Sequence, residues 1–167
     1  MVLTKAELIA ALQHEVHILL HLAGKIDRAQ LEYRPTPKQR STIELLRYLS
    51  MMGPVLVQAV TSGAFDLAAW TAAEEAAASR DVDQAMAVIA MQTDGYAALL
   101  ANVTDADLRT DINLFGDTAS RGATLVNLVL CGCAAYRTQL FLYLKSCGRD
   151  ELDSMNLWNG MDAPAAG

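Results

Sequence analysis

The sequence predicts an all-α fold: a four-helix bundle with a long connection between the third and fourth helices. Three observations carry this. Alanine is abundant and aromatic residues make up only 6% of the chain, a balance that favours helices over sheets. Apolar residues recur at helical spacing in four long stretches. Between the third and fourth lies an irregular segment, Thr104 to Gly122, long for a bundle connection and suited to a crossover. The chain has 167 residues, the size of one ordinary domain. One domain is expected over 1–167, with 149–167 as a C-terminal extension.

Each element has its own signal. Helix 1 is expected from Thr4 to Lys25, with Leu8, Leu12, Val16, Leu19 and Leu22 on one stripe. A loop with Pro35 and Pro37 ends it. Helix 2 starts at Ser41, where Ser41 and Glu44 form the S-x-x-E capping box that satisfies orphan amides at a helix start. Leu45, Leu49, Met52 and Leu56 continue its buried stripe, and Gly53-Pro54 predicts a kink. The Ala-rich stretch from Ala68 to Ala78 reads as a short helix or connector. Helix 3 begins after an Asp81 or Asp83 cap and runs to Val103. Helix 4 runs from Ala123 to Ser146 and stops at Gly148, a natural C-cap residue. The tail, DELDSMNLWNGMD, places Leu157 and Trp158 in polar company and reads as an extension packed on the bundle.

Charge and cysteine content narrow the function classes. Nineteen acids against thirteen bases leave a net charge of −6 and a pI of about 4.9. That argues against a non-specific nucleic-acid binder, which needs a basic face for phosphates, and against docking on an anionic membrane. No apolar run reaches the roughly 18 residues that span a bilayer, and the first residues lack the pattern of a signal peptide. Cys131, Cys133 and Cys147 are odd in number and lie in or just after one apolar helix. A reduced cytoplasm is the simplest setting. Cys131 and Cys133 diverge by about 160° on a helix and so form no joint site.

Two stretches, YRPTPKQRSTIELLRYL at helix 2 and CGCAAYRTQLFLYLKSCG at helix 4, resemble the DinB-like (DinB/YfiT) proteins. In that family the second stretch usually reads H-x-x-x-H-R-x-Q-L. The resemblance covers about 150 residues, although its specific part is short. It implies a four-helix bundle, often dimeric. Many members bind a divalent metal through three histidines, one on helix 2 and two on helix 4. Some use it to activate a low-molecular-weight thiol, or in isomerase and transferase chemistry.

This chain departs from the pattern where it matters. The helix 2 histidine falls at Tyr48, and the helix 4 histidines fall at Gly132 and Tyr136, while Arg137 and Gln139 keep the rest. A glycine has no ligand atom, and a phenol is a poor divalent-metal ligand near neutral pH. Catalytic metal sites need about three protein ligands and an open position, so no cofactor is expected. On an ideal helix Gly132 and Tyr136 share a face with Leu125, Val129, Leu140 and Tyr143 and point to the bundle centre. Gly132 leaves space that a helix 2 tyrosine could fill, and two adjacent phenols would hydrogen-bond.

Other constellations have two readings each. His14, His17 and His21 lie on one arc of helix 1, about 60° wide. The arc stands opposite the leucine stripe, so it faces solvent or a partner; the alternative is a relocated divalent-metal site. Glu15 lies near the apolar stripe. A carboxylate there is turned to water or paired, with Tyr48, Tyr136 and Arg137 as the available partners, and with the two phenols it could do acid–base work. The loop from Arg34 to Arg40 carries three bases to the helix 2 N-terminus, either a solvated loop or an anion site. Helix 4 is apolar nearly all round, with Leu128, Ala135, Phe141 and Leu142 outside the Tyr136 face. That predicts a homodimer along helix 4, unless the 104–122 segment or the Trp158 tail covers it. The expectation is therefore a cytoplasmic, metal-independent binding or interaction protein with a pocket lined by Tyr48, Gly132, Tyr136, Glu15 and Arg137. Nucleic acid and membrane are not expected partners. The alternative is a transferase or isomerase, metal-independent or using a relocated metal, with thiol-dependent chemistry among its forms.

Overall fold

A computed structural model describes residues 3–164. Helix α1 spans Lys5–Ala23. Thr4 caps it by accepting from the Glu7 amide, and the Glu7 carboxylate returns to the Thr4 amide at 2.7 Å. Helix α2 spans Thr42–Ser62 and opens with the expected capping box: the Glu44 carboxylate accepts from the Ser41 amide at 2.8 Å. It runs unbroken past Pro54 and ends at Gly63, whose φ of 79° is left-handed and favours glycine. Helix α3, Leu67–Ala78, is the Ala-rich stretch, a full helix laid on α2. Helix α4 spans Val82–Leu99, and Asp81 rather than Asp83 is its cap, paired with Gln84. It stops at Leu99, four residues short of Val103, and the chain leaves it through turns.

The 104–122 segment is not merely irregular. After a 3-10 turn at Asp107–Arg109, strands β1 (Asp111–Leu114) and β2 (Asp117–Ser120) form an antiparallel hairpin. Leu114 faces Asp117, so only Phe115 and Gly116 make the turn, both with positive φ. Two such residues define the tight hairpin turn whose twist suits antiparallel strands. Helix α5 then runs Arg121–Ser146 without a break. Helix α6, Ser154–Asn159, lies in the tail and packs on α1.

Helices α1, α2, α4 and α5 form the bundle around one core that includes Leu12, Leu19, Leu45, Leu49, Ile89, Val129 and Leu140. Contrary to the sequence expectation, α2 and α5 are each long and apolar enough to cross a membrane. They reach that length because each helix continues through a charge that interrupts its apolar run, Arg47 in α2 and Arg137 in α5. In α2, 61% of the most apolar stretch is buried as a core helix, whereas in α5 only 28% is.

A π turn, Val126–Leu130, sits inside α5. Such a turn holds one residue more than an α turn, which rotates the remainder of the helix by about 100°. The deepest positions after it are Cys133, Arg137, Leu140, Tyr143 and Leu144. Gly132 and Tyr136, expected at the bundle centre, are half-buried on the side that meets α2.

Candidate functional site

The tyrosine pair forms, at one end of the bundle. Tyr48 comes from the second turn of α2 and Tyr136 from α5, with ring centroids 5.1 Å apart and edge to face. Burial, reinforced by the neighbouring Tyr136 phenol, pushes the Tyr48 phenol above its usual range. Tyr48 therefore stays a proton donor at neutral pH and is unsuited to act as a base. Trp70 of α3 meets the Tyr48 ring at 6.2 Å.

Gly132 does not receive a tyrosine. The Met52 methyl fills its space: a Cβ at 132 would stand 3.1 Å from Met52 Cε. Met52 lies one turn beyond Tyr48 on the same α2 face and is flexible enough to fill irregular gaps. Tyr48, Gly132 and Tyr136 thus form a phenol pair and a glycine closed off by a thioether.

Tyr48 floors a crevice of about 270 Å³ whose walls include Arg40, Glu44, Arg47 and Glu74. The Arg40 guanidinium lies over the Tyr48 ring, 3.9 Å from its centroid, as cation–π attraction favours. Among the described residues Arg40 has no carboxylate partner. Arg47 donates from Nε to the Arg80 carbonyl at 2.8 Å. Tyr143, lower on α5, donates to the Arg40 carbonyl at 2.8 Å and so pins the α2 start. The α2 N-terminus itself is not an open anion site. Glu44 serves its amide end and holds Arg34 at 3.2 Å. Sequence reading missed Arg47 and Glu74 as wall residues, and Trp70 as the ring beside Tyr48; Arg40 was legible only as one base of the loop.

Glu15 and Arg137 form a separate buried pair on the α1 side of α5. Arg137 Nε donates to Glu15 Oε2 at 2.5 Å, with side chains only 6% and 9% exposed. Glu15 is thus committed to Arg137 rather than to the phenols. Arg137 also donates to the Leu157 carbonyl and lies 5.1 Å from the Trp158 ring, which anchors the tail. Cys133 is buried one turn away; burial, reinforced by the Glu15 charge, pushes its thiol up to about 12. Deeper still, Tyr96 donates to Gln92, whose amide donates to the Leu49 carbonyl. A Cβ on Gly53 would stand 2.0 Å from Tyr96 Oη, so that hydroxyl occupies the glycine's vacant place.

The histidine arc is exposed at His14 and His17, as expected, and the chain's own tail lies along it and half-buries His21. His14 Nε2 lies 3.1 Å from the Trp158 carbonyl, and His21 Nε2 lies 2.9 Å from the Asn156 amide and 3.6 Å from Asp162. Gly160 sits against His17. Among the described residues no three His, Cys, Asp or Glu side chains converge as a metal requires.

No protein-family model matches the sequence, and no curated protein does. Similarity appears in three dimensions. The crystal structure of a DinB-like protein (YjoA) from Bacillus subtilis superposes with a TM-score of 0.67 at 18% identity, over 87% of this chain and 94% of that one. From its helix order, its long connection before the last bundle helix and this superposition, the chain has the DinB-like fold.

Proposed function

We propose that this chain is a metal-independent binding protein of the cytoplasm, working as a homodimer, that holds a small molecule in the Tyr48 crevice. The observation that carries the reading is Arg40: a guanidinium laid on the Tyr48 ring, with no carboxylate of its own among the described residues. A stacked guanidinium keeps its N–H edge for planar anions. Arg47 stands on the same wall and Glu74 lines the crevice too. The ligand is therefore small, with an anionic group at Arg40 and Arg47 and an amine or hydroxyl toward Glu74. The donor set supports a site without metal, since Tyr48, Gly132 and Tyr136 offer no imidazole. The dimer reading rests on α5, where Leu142 is 56% exposed and Phe141 and Leu128 are half-buried. An enzyme using Tyr48, Tyr136 and Glu15 together draws less support, because Glu15 is held by Arg137.

The test is a thermal-shift and NMR screen of small carboxylates, amino acids and phosphate esters. A binder is expected to raise the melting temperature with concentration as linkage requires and to lose its effect in Arg40→Ala. Binding that survives Arg40→Ala refutes the site. One metal per chain that survives chelator dialysis refutes the metal-independent reading. Light scattering reads the dimer, and Leu142→Lys is expected to yield monomers.

A further inference from the structure

Two apolar features lie on the outer side of α5, one near each end. Near its start is a cavity of about 600 Å³, where Leu3, Leu8 and Leu108 stand across from Val126 and Leu130 of the π turn. Asn127 on its rim is exposed, so the mouth reaches the outer side of the helix. Toward the other end Leu142 projects, 56% exposed, with half-buried Phe141 beside it. An apolar hollow and an apolar knob on one side of one helix are a complementary pair, but they stand too far apart to meet within a single chain.

What lies between them suits a second helix. Asn127, Cys131, Ala135, Thr138 and Leu142 follow at steps of three or four residues and are all exposed, so they form one outward stripe. The middle of the stripe is small, and small side chains let two helix axes approach at the near end of the usual 8–10 Å. From Gly122 to Leu144 the only charged residue is Arg137, buried against Glu15. A chain with a net charge of −6 repels its own copies over most of its surface. An uncharged stripe is where two copies meet without that repulsion.

Direction and register follow from symmetry. A two-fold interface is reciprocal: if one residue meets a second, the second meets the first. Let two α5 helices run antiparallel and cross at Ala134–Ala135. Asn127 and Leu142 are then equally far from the crossing, about 11 Å at 1.5 Å per residue. Each Leu142 stands over the other copy's Asn127, at the mouth of the cavity, and each Cys131 meets a Thr138. Parallel helices would set Leu142 on Leu142 and leave both cavities open.

We infer that a second copy of the chain completes this cavity: the α5 helices pack antiparallel across Ala135, and the partner's Leu142 enters beside Val126 and Leu130. This rests on the homodimer proposed above and adds its direction, its register and the residue exchanged.

Oxidative cross-linking and sedimentation test it on the full-length protein. With copper–phenanthroline as oxidant, Ala135→Cys/Cys131→Ser/Cys147→Ser is expected to form disulfide dimers, because the introduced thiols flank the two-fold axis within the roughly 4.4–6.8 Å Cα separation of a disulfide. Cys147→Ser, which keeps Cys131, is expected not to, since the two Cys131 stand about 10 Å apart along the axis. Leu142→Ala is expected to raise the dimer dissociation constant tenfold or more. Val126→Trp fills the hollow and is expected to do the same, while Val126→Trp/Leu142→Ala, which also removes the knob, recovers affinity over Val126→Trp alone. If Val126→Trp does not fold, the cross-links and Leu142→Ala decide. A dimer that cross-links through Cys131 but not through Ala135→Cys, or one indifferent to Leu142→Ala, overturns the inference and leaves the homodimer standing. A chain that stays monomeric at every concentration overturns both.

Discussion

Replacing Arg137 with Met tests how much of the bundle depends on one buried charge pair. The substitution keeps an unbranched apolar stem but removes the guanidinium, leaving the Glu15 carboxyl, 9% exposed, without its partner. Removing one partner of such a pair costs about 3–5 kcal/mol, because the other charge stays buried and uncompensated. For a domain of this size each kcal/mol lowers the melting temperature by about 2–4 °C, so Arg137→Met is expected to melt about 6–20 °C early. The double variant Glu15→Met/Arg137→Met removes both charges and is expected to recover most of the loss. It will not recover all of it. Arg137 also donates to the Leu157 carbonyl and lies against Trp158, and losing that hydrogen bond leaves a residual cost of about 0.5–1.5 kcal/mol. Urea unfolding followed by circular dichroism measures each corner of the cycle, and hydrogen exchange at Leu157 to Gly160 reads the tail. A single variant that costs less than about 1 kcal/mol, or a double variant no better than the single, would refute the assignment of the pair as buried and coupled.

Three other outcomes are expected from the packing and titration of individual groups. Gly53→Ala puts a methyl 2.0 Å from Tyr96 Oη and is expected to cost about 1–3 kcal/mol as overpacking; Tyr96→Phe should return part of that loss, read by thermal melts of the two single variants and the double. His21 has its pKa lowered, chiefly by burial, so the unfolded chain takes up the proton more readily. The stability that His21 contributes is thus full above its unfolded value of about 6.5 and falls as pH drops below it. Tail exchange should accelerate on acidification and lose that dependence in His21→Gln; an unchanged profile would show that Asp162, which pulls the pKa the other way, prevails. With a thiol reagent at neutral pH, exposed Cys131 should react first and half-buried Cys147 more slowly, while Cys133, raised to about 12 and buried, should react only on unfolding.

What the sequence disclosed was local. The Ser41–Glu44 capping box is written in four residues, and it formed. The approach of Tyr48 to Tyr136 came from helix spacing and the resemblance together. The hairpin was hidden because its turn is Phe115-Gly116, not the Asn-Gly or Asp-Gly pair that announces such turns, and its strands carry Asp111 and Asp117. The histidine arc was placed correctly on α1, but the tail that lies along it comes from residues 156–162, and no periodicity within α1 can report a docking partner so distant in the chain. Glu15 and Arg137, which lie 122 residues apart, were known only as two of several possible partners.

The π turn accounts for the error of greatest consequence. Uniform α spacing puts Gly132 and Tyr136 in line with Leu125 and Val129, aimed at the centre. Nothing in the composition of VNLVL marks an extra residue per turn. Once it is present, Cys133 and Arg137 inherit the inward position and α5 presents two working faces. One turns Arg137 to Glu15 on α1, and there the polar pair fastens the tail. The other turns Gly132 and Tyr136 to Met52 and Tyr48 on α2, where the phenols open toward Arg40. The carboxylate and the phenols, which acid–base work would need in one place, are thereby separated by the thickness of a helix. At the crevice Tyr48 keeps its proton, while Glu15 stands on the other face of α5, held by Arg137.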